Sequence, residues 1–227
     1  MIAAETAIRT LIPNTISAQE SWNLLFDQAQ ELHFRRGQVL FTTNRQHPYV
    51  YLVQKGLVAL TPMNDERELI LDAPGKGNYV NLESVWDGST PLQAAYTLTG
   101  STVVRRVSIT EIRHCLQRNP HGQDYVAQQL LAQIRRAHQR IRDLALLSAP
   151  QRIIHYLLQY VLQQGRAVGL EWVVQPVLTH QEIGLLTSTG RQTVTTVLND
   201  LRNAGIVHFT RHYFIIRDLD RMKALAG

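Results

Sequence analysis

Residues 178–207 read LTHQEIGLLTSTGRQTVTTVLNDLRNAGIV. Thr179 and Glu182 stand in the T-x-x-E spacing of a capping box, so a helix starts there. Thr187-Ser188-Thr189-Gly190 is a short polar turn. Thr189 with Gln192 can cap a second helix, and Gly190 competes for that cap. In the second helix Val194, Val197, Leu198 and Leu201 share one face, while Gln192, Thr195, Thr196 and Asn199 share the other. Asn203-Ala204-Gly205 ends it with a glycine. Two short helices across a tight turn make a helix-turn-helix. A helix apolar on one side and polar on the other can pack on its partner and still enter a major groove. Arg191 and Gln192, at its start, sit where such helices meet base edges, with Thr195 and Thr196 one turn on. Arginine can donate two hydrogen bonds to guanine, and glutamine can pair with adenine.

Beyond the helix, Ile206–Phe209 and Tyr213–Ile216 flank Thr210-Arg211-His212 and read as a hairpin wing, with Arg211 at its tip positioned for phosphate. A helical pair with a hairpin serving interaction only is the competing reading. Upstream, Ser148-Ala149-Pro150 breaks one helix and opens another carrying Ile153, Ile154, Leu157, Leu158 and Val161. Gly165 and Gly169 precede a strand-like EWVVQPV. The helix before the break, about Asp124 to Leu147, carries Ala127, Leu130, Ile134, Ala137, Ile141 and Leu144 at alternating steps of three and four. That is a heptad seam, which a second copy of the helix would bury. A single amphipathic helix lying on the domain before it is the alternative. Ile109–Arg118 is a further helix, stopped by Asn119-Pro120.

From Gly37 to about Val107, the short runs QVLF, YVYLV, LVALT, ELILD and TVVRRV are separated by turn signals. Short strands at this spacing predict a small β-sandwich or roll. Residues 1–33 read as short helices. The fold class is therefore α+β. An N-terminal β-roll spans 1–123, a long dimerisation helix 124–147 and a C-terminal winged helix-turn-helix domain 148–227.

The composition fits this division. The chain has 227 residues, 44% hydrophobic, enough to build a core in each part. The net charge is +5, with eight Lys/Arg against five Asp/Glu in 148–227 and fifteen against thirteen before it, so the C-terminal part is the more basic per residue. A basic balance suits a polyanionic partner such as double-stranded DNA. No apolar run spans a membrane, the N-terminus lacks the apolar core of a signal peptide, and a cytoplasmic home follows by default. The single Cys115 excludes an internal disulfide and a multi-cysteine metal cluster, and no metal site is expected. It reads as a packed small hydrophobe rather than a redox thiol. G-x-S-x-G, H-E-x-x-H and the P-loop pattern are all absent, so no enzyme and no catalytic residue is expected.

The segment THQEIGLLTSTGRQTVTTVLNDLRNAGIV, with Arg191, Thr193, Val194 and Leu198 in the pattern R-x-T-V-x-x-x-L, resembles the helix-turn-helix of the CRP/FNR family of bacterial regulators. The upstream order of β-roll, long helix and hinge matches as well. The resemblance implies a homodimer joined along Leu130, Ile134, Ala137, Ile141 and Leu144, two recognition helices on a near-palindromic site, and RNA polymerase as a partner. It carries base contact to Arg191, and backbone contact to Thr179, His180 and Gln181, with Ser188 and Thr189 in the turn beside them. Family members commonly carry Glu where this chain has Gln192, so a different base pair is expected there. In cyclic-nucleotide-binding members a glutamate holds the ribose and an arginine the cyclic phosphate. Here Glu83 stands near the first position, and Leu92-Gln93 fall at the second, where no cation exists. The family's adenine-contacting pair falls near Ala137-His138. Glu83, Leu92, Gln93 and His138 are therefore the candidate effector-pocket residues, and neither cyclic AMP nor haem is expected as cofactor. A protein-interaction module of the same fold without DNA binding is the alternative function.

Overall fold

In a computed structural model, the structure describes residues 18–43, 45–62, 69–88, 90–118, 122–175 and 178–226. Helix α1 (Ala18–Asp27) is followed by seven strands: β1 (Gln30–Phe34), β2 (Val39–Phe41), β3 (Tyr49–Lys55), β4 (Val58–Thr61), β5 (Tyr79–Val80), β6 (Ala94–Thr97) and β7 (Thr102–Ser108), with the single turn α2 (Ser84–Asp87) before β6. They form two antiparallel sheets, ordered β1-β7-β3-β5 and β2-β6-β4. The central strand β3 is buried on both faces, following the period-2 alternation of a strand. Tyr51 and Val53 face the other sheet with Phe41, Val58 and Val104. Val50 faces a layer of helices with Trp22, Phe26 and Val107.

Residues 30–34 are a strand, not the end of a helix. Glu31 and Leu32 pair with Arg105 and Val104, and Leu32 and Phe34 share the face that packs into the sandwich. The helix suggested by Leu24 and Leu25 stops at Asp27. The run ELILD forms only an isolated bridge, Leu60 to Asp72; its Glu68 lies outside the described residues, as do the N-terminal decapeptide and Asn119-Pro120.

One half-buried histidine gives the β-roll a pH dependence. His47 stacks on Phe41, with centroids 4.6 Å apart, and its Nε2 lies 2.8 Å from the Tyr51 hydroxyl. Burial, then the Arg106 charge, pushes its pKa down to about 4 from 6.5. The unfolded chain takes up a proton near 6.5 that the folded chain refuses until about 4. Stability is thus fully present above 6.5 and falls as pH drops through that window. We expect urea midpoints to decline between pH 7 and 5, and His47→Gln to flatten that decline. An unchanged slope would count against the assignment.

Helices α3 (Ile109–Arg118) and α4 (Gly122–Leu146) follow. The N-terminal part of α4 packs on the β-roll through Val126 and, partly buried, Leu130. Further along, Ile134 is 49% exposed, Ile141 63% and Leu144 43%. The expected seam is therefore split: Leu130 turns inward, while the apolar residues after it stand uncovered, joined by the exposed Leu131.

The remainder comprises α5 (Ala149–Gln164), a hairpin of β8 (Arg166–Val168) and β9 (Glu171–Val174), α6 (His180–Thr187), α7 (Arg191–Asn203), β10 (Val207–Phe209), β11 (Phe214–Ile216) and α8 (Leu219–Ala226). Its sheet runs β10-β11-β9-β8. EWVVQPV supplies only the second strand of a hairpin that turns at Gly169, where φ is +61°; Pro176 and Val177 lie outside the described residues. Ile153, Leu157 and Val161 of α5 join Ile183, Leu186, Val194, Leu198 and Phe214 in one core, and Leu57, Ala59, Ile70 and Leu98 of the β-roll belong to the same cluster. Gly75 approaches so closely that a Cβ there would lie 2.4 Å from the Gln164 amide nitrogen.

Candidate nucleic-acid interface

Helix α6 begins as its sequence requires. The Glu182 N–H donates to Thr179 Oγ1 at 3.2 Å, and the Thr179 N–H donates to Glu182 Oε2 at 2.7 Å. A further donor reaches Glu182 Oε2 from the β-roll, Arg36 Nη2 at 3.0 Å. The capping carboxylate thus ties the first helix of the pair to the N-terminal domain. Thr179→Ala removes the cap, and we expect a loss of about 1 kcal/mol, read as a lower denaturant midpoint.

The turn after α6 is tighter than a polar stretch announces. Ser188 takes the left-handed conformation, φ 51°. A Cβ on Gly184 would lie 2.7 Å from the Thr189 carbonyl oxygen, so only glycine lets the turn fold back over the helix. Arg152 of α5 holds the turn from below, donating to the carbonyls of Thr187 at 3.0 Å, Ser188 at 3.3 Å and Leu147 at 2.9 Å. Sequence reasoning passed over both residues. A glycine inside an apolar helical run was the available signal for the first; Arg152 left none.

Gly190 wins the competing cap and α7 starts at Arg191. Val194, Val197, Leu198 and Leu201 are buried, while Arg191, Gln192 and Thr196 are exposed. Thr195 is half-buried and already engaged. Its hydroxyl donates to the Arg191 carbonyl at 3.0 Å, so the Nδ1 of His180, 2.8 Å away, must be the donor to it. The His180 ring also meets Phe209 of the wing edge-on, at 6.2 Å. Its pKa is lowered by burial and then by the Arg191 charge, so the ring bridges both helices and the wing as a neutral group. Thr189 is engaged as well, 2.8 Å from the Thr187 hydroxyl. Thr179, Gln181, Ser188 and Arg211 are exposed, and Arg211 stands at the wing tip beside His212.

These features lie where the comparisons with known proteins find them. Residues 151–225 match the Crp-like helix-turn-helix domain, and residues 31–119 match the cyclic nucleotide-binding domain. The chain belongs to the CRP/FNR family. This CRP/FNR chain is 25% identical to the cAMP-activated global transcriptional regulator CRP of Haemophilus influenzae, over 70% of this chain and 71% of that one. It is 23% identical to the cAMP-activated regulator Vfr of Pseudomonas aeruginosa, over 75% and 80%. Its fold is similar to that of FixK2 from Bradyrhizobium japonicum, with TM-score 0.77, 21% identity, and 88% and 98% of the two chains covered. It is also similar to a CooA mutant from Carboxydothermus hydrogenoformans, with TM-score 0.71, 20% identity, and 94% and 97% covered. The protein is a transcription regulator with a DNA-binding helix-turn-helix, in a family of regulators rather than enzymes. The alternative of a pure interaction module is not favoured.

The candidate effector residues divide. Glu83, Leu92 and Gln93 border a cavity of about 1120 Å³ between the β-roll, α4 and α5. His138 does not. Its helix neighbours Ala137 and Gln139 border the cavity, while the His138 side chain is exposed. Cys115 is buried, and burial pushes its thiol pKa up, the state of an inert packed thiol. Among the described residues no helix is long and apolar enough to cross a membrane, and no cluster of three metal-ligating side chains occurs.

Proposed function

We propose that this regulator is a homodimer that grips a near-palindromic DNA site with two copies of α7, independently of cyclic AMP. One observation carries the reading: the start of α7 presents Arg191, Gln192 and Thr196 to solvent while its other face is locked in the core. Arg191 would read guanine, Gln192 adenine, and Thr196 a neighbouring base edge. Thr179, Gln181, Ser188 and Arg211 would meet phosphates. His180, Thr189 and Thr195 would hold the reading surface in shape rather than reach far from it, because their side chains bond one another or neighbouring residues. The uncovered Ile134, Ile141 and Leu144 supply the dimer seam, and half-sites about 34 Å apart would suit the pair. Such a regulator works in the cytoplasm, beside RNA polymerase.

A cyclic phosphate fits this β-roll poorly. Among the described β-roll residues bordering the cavity none is cationic, and Asp72 and Glu83 are acidic. Leu92, near the expected phosphate position, is 71% exposed. A phosphate there would lose the charge-assisted hydrogen bonds that hold it in place. Haem finds no better support: His138 is not among the residues that border the cavity, and His155, which borders it, is paired with Asp143 at 2.8 Å. A gel-shift titration without cyclic AMP, on DNA selected in vitro by the full chain, tests the whole reading. Binding should weaken steeply, by at least about tenfold between 50 and 200 mM salt. No shift without the nucleotide, or a salt-independent one, would refute it.

A further inference from the structure

The cavity continues past the β-roll toward the DNA-binding domain. Gln133 of α4 donates to the Tyr79 carbonyl of β5 at 3.2 Å. Arg140 lies seven residues on, about 10 Å along the helix, where its Nη2 reaches the Leu185 carbonyl of α6 at 3.4 Å. This part of the cavity is bordered by Asp72, Arg136, Arg140, Tyr156, Gln159 and Leu186.

The cations here differ in how they are employed. Arg136 is paired with Asp72 at 3.4 Å, and Arg152 serves three carbonyls. Arg140 makes only the long donation to Leu185 among the described residues, though a guanidinium has five N–H donors and burial lowers its pKa. A cation withdrawn from water wants acceptors. Beside it, Tyr156 stacks parallel to Tyr160 at 6.2 Å. Burial raises its pKa well above the ordinary phenol value, so at neutral pH it remains an O–H donor. Neither that hydroxyl nor the Gln159 amide has a hydrogen-bond partner among the described residues, and both residues border the cavity. The neighbouring walls of the β-roll, Leu60, Leu71 and Ala73, are apolar. A few converging polar groups on an apolar cavity mark a ligand site.

We infer that the interdomain end of this cavity binds a small organic carboxylate with an apolar body, its anion held by Arg140 and the Tyr156 hydroxyl. A carboxylate fits better than a phosphate, because Asp72 and Asp143 stand on the same walls. A second negative charge would meet those acids. The ligand would draw Arg140 from the Leu185 carbonyl and so act on the first helix of the DNA-reading pair. This coupling rests on the function proposed above; the binding step does not.

Calorimetric titration of the full chain with 2-naphthoate, neutral 2-naphthamide and 2-naphthyl phosphate tests the site. The carboxylate should bind saturably and at least about tenfold tighter than the amide, the difference one charge-assisted contact makes. Arg140→Gln should erase that preference, Arg140→Lys should keep part of it, and Tyr156→Phe should weaken carboxylate binding by about threefold. Thermal midpoints verify that each variant is folded. The proposal is overturned by any of four results: no saturable carboxylate binding, equal binding of the amide, tighter binding of the phosphate, or an Arg140→Gln chain with the carboxylate preference intact. A gel-shift on the same wild-type sample separates the two readings, since lost DNA binding would overturn the function and leave the calorimetry standing.

Discussion

An Ile134→Glu chain is expected to sediment as a folded monomer and to lose operator binding together with dimerisation. Ile134 is 49% exposed in the single chain, so the substitution removes little from the protomer's own core and its circular dichroism should be unchanged. In the proposed dimer the same position would lie in the seam. Two carboxylates would be buried there without partners, at a cost of several kcal/mol per ion. A monomer keeps one recognition helix and forfeits the linkage between half-sites, which is worth about 10²–10⁴ in affinity. Ile141→Glu, at a still more exposed position, should behave alike. A monomeric variant that retained tight operator binding would refute the seam's role.

Arg191→Ala should leave the protein as stable as before and weaken specific binding by about 2–6 kcal/mol over two half-sites, taking about 1–3 kcal/mol for each bidentate contact. The stability half of this expectation follows from geometry. Arg191 is exposed at the start of α7, its side chain has no hydrogen bond among the described residues, and Gly190 rather than Arg191 is the cap. The affinity half follows from guanine's paired acceptors, which no alanine can meet. Loss should be confined to sequence discrimination: binding to random DNA, carried by phosphate contacts, should fall far less. A variant that bound operator and random DNA with equal losses would make Arg191 a phosphate contact instead.

The DNA-reading pair was legible because its signals are local. The capping box at Thr179 and Glu182, the apolar stripe from Val194 to Leu201 and the glycine at 205 each act within one or two turns of helix, and all three recur in the structure. Features made by residues distant in sequence were less legible. β1 could be recognised only through its pairing with Arg105 and Val104, more than seventy residues away. The seam showed its period, but not that Leu130 turns inward while Leu131 stands out. Thr195 sat on the polar stripe, and nothing in its spacing told of the His180 ring that occupies it. His138 was placed by family position, and the described cavity is bordered by its helix neighbours rather than by the histidine itself. Arg140 was one charge in a basic run until the fold set it beside Tyr156 and the Leu185 carbonyl.

The hydrophobic cluster that runs from Leu57 and Ile70 into Val161, Ile183 and Leu198 bears on how such proteins can be taken apart. A fragment ending at residue 147 would strip Leu57, Ala59 and Ile70 of the C-terminal part of their cluster, and a fragment starting at 148 would lose the β-roll part. Each piece alone would tend to precipitate. Grafting this reading head onto a foreign sensor would need those contact residues transplanted with it.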